Sequence, residues 1–146
     1  MGCILIMWAV MHTPLVSCDC IGPTREGAFQ EASAVFVGTV RSIEPVHPAN
    51  GKFKRGRDRA GSVGAWHAVK FSVVEAFKGV SSSRIAIISA ADCWTGFEAG
   101  RTYLVYARRE SRYPGFLVTG YCDRHYDIER GDDEVKWLRA LVKLAG

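Results

Sequence analysis

Lysine, arginine, aspartate and glutamate are all missing from the first seventeen residues, MGCILIMWAVMHTPLVS. The apolar run inside them, Cys3–Val10, falls well short of the roughly 20 apolar residues that a bilayer-spanning helix needs. A membrane-spanning anchor is therefore excluded at this position. A short apolar segment at the extreme N-terminus, closing on a small residue, reads as a cleavable secretory signal over residues 1–17. Residues 18–146 then form one exported domain, long enough to bury a real core. The run also lacks the basic residue that normally precedes a signal, and the competing reading is a buried N-terminal strand.

Other absences narrow the chemistry. Cys18, Cys20, Cys93 and Cys122 do not form the paired CxxC knuckles of structural zinc sites. His47, His67 and His125 stand in neither HxH nor HxxxH spacing. A thiol enzyme would have to pair Cys93 with His67 or His125, and an oxidising compartment with an even cysteine count leaves no free thiol for it. The expectation is a protein without catalytic activity, cofactor or metal of its own. No internal repeat or second domain is visible. The net charge is only +4, and the stretch KFKRGRDR, Lys52–Arg59, accounts for the whole surplus. With the remainder balanced, no general affinity for nucleic acid is expected.

What is present begins with the cysteines. Loss of Cys3 with the signal leaves four, which suggests two disulfides. Cys18 and Cys20 are too close to bridge one another comfortably, so each reaches a distant partner. Two pairings remain, and both tie the new N-terminus to the body of the fold.

Along the chain, PTREGAFQEAS (Pro23–Ser33) has the marks of a short helix, with Pro23 and Thr24 suited to its start and Ala28, Phe29 and Ala32 as an apolar face. AVFVGTVRSI (Ala34–Ile43) is rich in β-branched residues and reads as a strand, with Gly38 marking a bulge or bend. The segment Pro45–Gly64 has no periodic pattern and reads as a long exposed loop. WHAVKFSVVEAF alternates Val69, Phe71 and Val73 with Lys70 and Ser72, as a half-buried strand requires. RIAIIS (Arg84–Ser89), TYLVYARR (Thr102–Arg109) and GFLVTGY (Gly115–Tyr121) complete five strands. The tail GDDEVKWLRALVKLAG is a helix in which Asp132 is placed to cap, Asp133 and Glu134 sit at the positive end and Lys143 near the negative end. Its apolar stripe is Val135, Leu138, Leu141 and Val142. The expected fold class is all-β with flanking helices: a five-stranded, partly open antiparallel barrel, with a plain β-sandwich as the competitor.

The motifs CDC, the Pro-led helix with its AF pair, AVFVGTV, VKFSVVEAFKG, the isolated Cys93, FEAGRTYLVYA and TGYCDR follow one another in an order and spacing that resemble the netrin-like module of tissue inhibitors of metalloproteinases and their bacterial relatives. They span Cys18 to about Arg124. The resemblance implies a five-stranded OB-type barrel, in agreement with the strand count. It implies the disulfides Cys18–Cys93 and Cys20–Cys122. The third bridge usual in this domain, and the separate C-terminal domain of the animal inhibitors, have no counterpart.

The resemblance also implies a mechanism. In those inhibitors the free amine and carbonyl of the N-terminal cysteine chelate the catalytic zinc of a metalloprotease, whose open position accepts nitrogen or oxygen ligands. The disulfide from that cysteine holds the chelating group rigid and lowers the ordering cost of binding. Carried over, Cys18 is the chelator, and Asp19 enters the protease's specificity pocket beside Cys20 and the segment Ala91, Asp92 and Cys93. Asp19 stands where the inhibitors carry a small hydroxyl or apolar residue, and a carboxylate there is desolvated or repelled. Trp94 stands where Gly is common. These departures weigh against tight inhibition of an ordinary matrix protease, and the staple reading, in which CDC only anchors the fold, needs no protease at all.

Two further expectations compete with inhibition. LVSC, Leu15–Cys18, fits the bacterial lipobox, in which the cysteine becomes the lipidated first residue of an envelope protein. Lipid on the Cys18 sulfur would remove it from any disulfide, and acylation of its amine would abolish the chelate. Lys52, Lys54, Arg55, Arg57 and Arg59 together suit an acidic polysaccharide or an anionic lipid surface, an attraction that falls steeply with salt.

Overall fold

The computed structural model describes residues 21–56, 66–89, 96–120 and 122–145. The signal segment, Cys18, Asp19, Cys20, Arg57, Arg59, Ala91, Asp92, Cys93 and Trp94 lie outside the described residues. Two helices, α1 (Arg25–Glu31) and α2 (Asp132–Ala145), accompany seven strands: β1 (Ala34–Ala49), β2 (Lys52–Arg55), β3 (Trp66–Lys78), β4 (Arg84–Ser89), β5 (Thr102–Arg109), β6 (Leu117–Thr119) and β7 (His125–Asp127). Among the described residues no helix is long and apolar enough to cross a membrane.

The chain is mostly β, and its sheet closes partly into a ring of five strands. Strands β1, β3 and β4 pair antiparallel in succession. β5 then returns to lie antiparallel beside β1, from Ala34↔Ala107 to Thr39↔Thr102. This is the order of a Greek key. β6 completes the ring by pairing parallel with β4 (Ile88↔Val118) and antiparallel with β5 (Arg108↔Val118). β2 and β7 are short strands outside the ring.

β1 holds the ring together because it pairs β3 along nearly its whole length while changing neighbours on its other side. Its first half meets β5 and its last residues meet β2. Register shifts at Val35/Phe36, Val37/Gly38 and Val40/Ser42 bend it enough to do so. The bulge expected at Gly38 is among them.

Burial explains why β1 and β5 do not alternate. Phe36, Val40, Val69, Phe71, Ile87, Tyr103 and Val105 fill the inside of the ring, where Phe36 and Phe71 meet edge to face at 5.4 Å. Val35, Val37, Leu104 and Tyr106 face the other way and are covered by α1 and α2 through Ala28, Ala32, Val135 and Leu138. Both faces of β1 over residues 34–38 and of β5 over residues 103–107 are therefore dry. Thr24 caps α1 by accepting from the Gly27 N–H at 3.1 Å. In α2 the helix already includes Asp132, which is in the first turn instead of capping it. Val135 and Leu138 are buried as expected, whereas Val142 is exposed at the far end of the stripe.

The loop expected from Pro45 to Gly64 is the main correction over its described part, residues 45–56, and residues 57–64 lie outside the described residues. β1 continues to Ala49, and a two-residue turn at Asn50-Gly51 returns the chain as β2. Both turn residues have positive φ, 51° and 72°, the backbone that Asn-Gly adopts most readily and that matches the twist of a hairpin. The prolines hid this continuation, since they donate nothing to a ladder, yet the Pro45 carbonyl still accepts from Gly56 N at 2.9 Å. Phe53 then folds onto Trp66, Tyr113 and Phe116, with ring centroids 4.7–5.3 Å away, above Val46, Ile88 and Val118. The fifth expected strand is shorter than its apolar run, because Phe116 belongs to this aromatic cluster and Gly120 N turns back to Asp123 Oδ2 at 2.7 Å.

Candidate functional site

The residues expected to act, Cys18–Cys20 and Ala91–Cys93, lie outside the described residues, as do Arg57 and Arg59. The structure does describe what receives the chain just after the CDC motif. Pro23 follows Cys20 by three positions, and its carbonyl accepts from Arg124 Nη1 at 3.0 Å across 101 residues of sequence. Arg124 closes the TGYCDR motif, two positions after Cys122.

Arg124 is itself held on three sides. Its Nε and Nη2 donate to the two carboxylate oxygens of Glu134 at 3.0 and 2.5 Å, a bidentate pair in which Glu134 is buried. Its guanidinium lies 5.3 Å from the Tyr126 ring centroid. Glu134 comes from the first turn of α2, where a negative charge suits the positive end of the helix. The Glu134 hydrogen bond is the main cause that holds the Arg124 guanidinium above its ordinary pKa.

Tyr106 of β5 completes the cluster. Its hydroxyl is buried close to the Glu134 carboxylate, without a well-aligned hydrogen bond among the described residues, and burial first, then the interaction with Glu134, push the phenol well above its ordinary value. Its backbone carbonyl accepts from the buried Thr119 Oγ1 at 3.0 Å. Cys122, two residues before Arg124 in the chain, is exposed. The sequence reading missed the Arg124–Glu134–Tyr106 cluster. A carboxylate in the first turn of an amphipathic helix had looked like a dipole contribution alone.

A cavity of about 430 Å³ lies near the strand end that carries His125. Gly96, Glu98, Arg101, Tyr103, His125 and Asp127 contribute to its wall. Its polar groups already serve one another: Arg101 pairs with Asp127 at 2.5 Å, and the Tyr103 hydroxyl donates to Gly96 O and accepts from Glu98 N. The His125 ring packs 5.1 Å from Phe97, with Nδ1 3.1 Å from Asp123 O. Among the described residues no group of three His, Cys, Asp or Glu side chains converges as a metal site.

The expected basic loop is divided by the structure. Lys52 and Lys54 project from β2, an exposed edge strand, whose charges discourage pairing with other chains. Arg55 is tied to Glu44 at 3.1 Å, and Glu44 also accepts from Lys70 Nζ at 2.7 Å. The Lys70 hydrogen bond, then the nearby Arg55, hold the Glu44 carboxyl below its ordinary value. His47 Nδ1 lies 3.2 Å from Gly56 O inside the same hairpin. Arg108 and Arg109 are exposed at the end of β5, as a solvated strand end should be.

Compared with known proteins, the chain matches no family model and no curated sequence.

Proposed function

We propose that this chain is an exported netrin-like module of the metalloproteinase-inhibitor class, which blocks zinc metalloproteases through the amine and carbonyl of Cys18. In this reading the ring of five strands is an OB-type barrel, a partly open Greek-key closure. The β5–β1–β3–β4 order and the parallel β4–β6 pair support it.

The observation that carries the proposal is the Arg124–Pro23 hydrogen bond. An inhibitor working through its first residue needs that residue held rigidly, because freedom lost on binding subtracts from affinity. Arg124 fixes the chain within three residues of Cys20, a reach of about 10 Å at most. Cys122 is two residues from Arg124, so this hydrogen bond already brings together the two segments that a Cys20–Cys122 bridge would join, and in this reading Cys18–Cys93 ties the chelating residue itself. No catalytic group or cofactor of its own enters this mechanism; the metal is the partner's.

The test uses protein recovered from its export route. Unreduced peptide mapping is expected to give an unmodified Cys18 amine and a Cys18–Cys93 bridge. The same protein should inhibit at least one member of a zinc-protease panel, and adding one Ala before Cys18 should abolish that inhibition. A diacylglyceryl mass on Cys18, or inhibition indifferent to the added Ala, refutes the chelate mechanism.

A further inference from the structure

Three successive strands of the ring each place a cation beside one cavity. Arg41 of β1, Lys70 of β3 and Arg84 of β4 line a hollow of about 330 Å³ together with Phe71, Ile85 and Ala86. The pairing register explains the gathering. Ser42 is opposite Lys70, Lys70 opposite Ala86, and Ser72 opposite Arg84. Lys70 and Arg84 therefore share the outward face of the sheet, since Val69, Phe71 and Ile87 fill the inside. Arg41 is the extra residue of the β1 bulge between Val40 and Ser42, the kind of irregularity that re-aims a side chain.

Like charges gathered at one place repel, so such a cluster is expected to bring its own counter-charge. It brings half of one. Glu44 is shared between Lys70 and Arg55, while Arg41 and Arg84 have no acidic partner among the described residues. All three cations at the hollow are exposed.

We infer that this outward face of β1, β3 and β4 binds a linear acidic polysaccharide, with Arg41, Lys70 and Arg84 as its contacts. The cations stand on strands about 4.8 Å apart, a row instead of a point, which suits a polymer of repeating carboxylate or sulfate groups. The guanidinium groups at either end offer the planar donor pairs that such oxyanions accept. Ser42 and Ser72 lie on the same face, with hydroxyls for sugar oxygens.

Competing polyanions fit less well. Phe71 is the one aromatic at the hollow and is 1% exposed, which leaves no ring on which a nucleobase stacks. Ile21, Val74, Val142 and Leu144 are the large apolar side chains exposed among the described residues, and none lines the hollow. A surface seated in a bilayer needs such side chains beside its cations. The site is distinct from Lys52 and Lys54, and it is independent of the inhibitor reading.

The experiment measures binding of heparin to the full exported chain by titration calorimetry at 50 and 150 mM NaCl. Replacing Arg41, Lys70 and Arg84 together with Gln should weaken binding by roughly tenfold or more, at about two- to fivefold per exposed contact. The variant Lys52→Gln/Lys54→Gln should lose less per charge removed, and the charge-matched Arg109→Gln/Arg130→Gln/Lys143→Gln should scarcely change. Because the substituted side chains are exposed, the melting temperatures should stay near that of the parent, and Arg84→Gln alone gives a graded check. Three results would overturn the inference: no heparin binding by the parent, equal losses in the scattered variant, or equally tight binding to oligothymidylate or to phosphatidylserine vesicles.

Discussion

Replacing Arg124 with Met should damage this protein more than its partial exposure suggests. The substitution removes the bidentate pair to Glu134, the hydrogen bond to the Pro23 carbonyl and the contact with the Tyr126 ring. What remains is a Glu134 carboxylate with 9% of its side chain exposed and no cation beside it. Stranding one member of a buried pair costs about 3–5 kcal/mol. Arg124 keeps 22% of its side-chain surface, which argues for the lower end, about 3 kcal/mol. For a domain of this size that corresponds to a fall in Tm of about 10 °C.

The second substitution makes the reasoning refutable. Adding Glu134→Met removes the stranded charge, and an apolar pair of similar volume is often neutral in such a place. The double variant should therefore recover about 2 kcal/mol of the loss. Urea unfolding of the parent, both single variants and the double variant completes the cycle. If Arg124→Met costs under about 1 kcal/mol, or the two losses simply add, the pair is not the anchor described here. Inhibition should separate from stability in the double variant, which keeps its fold but has lost the hold on Pro23.

The remaining predictions concern one backbone position, one phenol and one pocket residue. Gly79→Ala should cost about 3 kcal/mol in urea unfolding: its φ is +64°, and an added Cβ would lie 1.9 Å from the Ser33 carbonyl oxygen. Tyr106→Phe should be neutral or gain up to about 1 kcal/mol near neutral pH, because the hydroxyl it deletes is buried without a well-aligned hydrogen bond among the described residues. The same variant should flatten the alkaline limb of stability. A phenol raised in the folded state contributes fully below its unfolded pKa of 10.0, and that contribution is lost as pH rises from there toward the folded value, which unfolding at pH 8–11 would reveal. Asp19→Thr should tighten inhibition of a susceptible zinc protease by about tenfold, because the protease pocket no longer has to desolvate a carboxylate; an unchanged inhibition constant would mean that Asp19 does not enter that pocket.

Local patterning was enough to place Arg84–Ser89 and Thr102–Arg109 as strands at their observed ends, and to identify both helices. Each of these segments is bounded by turn residues and is rich in residues that favour its own backbone, so neighbouring residues contain the information. Cysteine arithmetic likewise drew attention to the region around Cys122. Other features are properties of contact between distant segments. Pro45 and Pro48 broke the pattern of β1, and only the Asn50-Gly51 turn together with the packing of Phe53 on Trp66, Tyr113 and Phe116 extends that strand into a hairpin. The continuous burial of Val35–Val37 and Tyr103–Ala107 follows from two cores on opposite faces, a circumstance that no single strand encodes. Ring closure through the parallel β4–β6 pair, the joining of Arg124 to Pro23 and Glu134, and the meeting of Arg41, Lys70 and Arg84 were likewise decided by tertiary structure. Charge and periodicity are written along the chain; which charges stand together is settled only when the strands find their register.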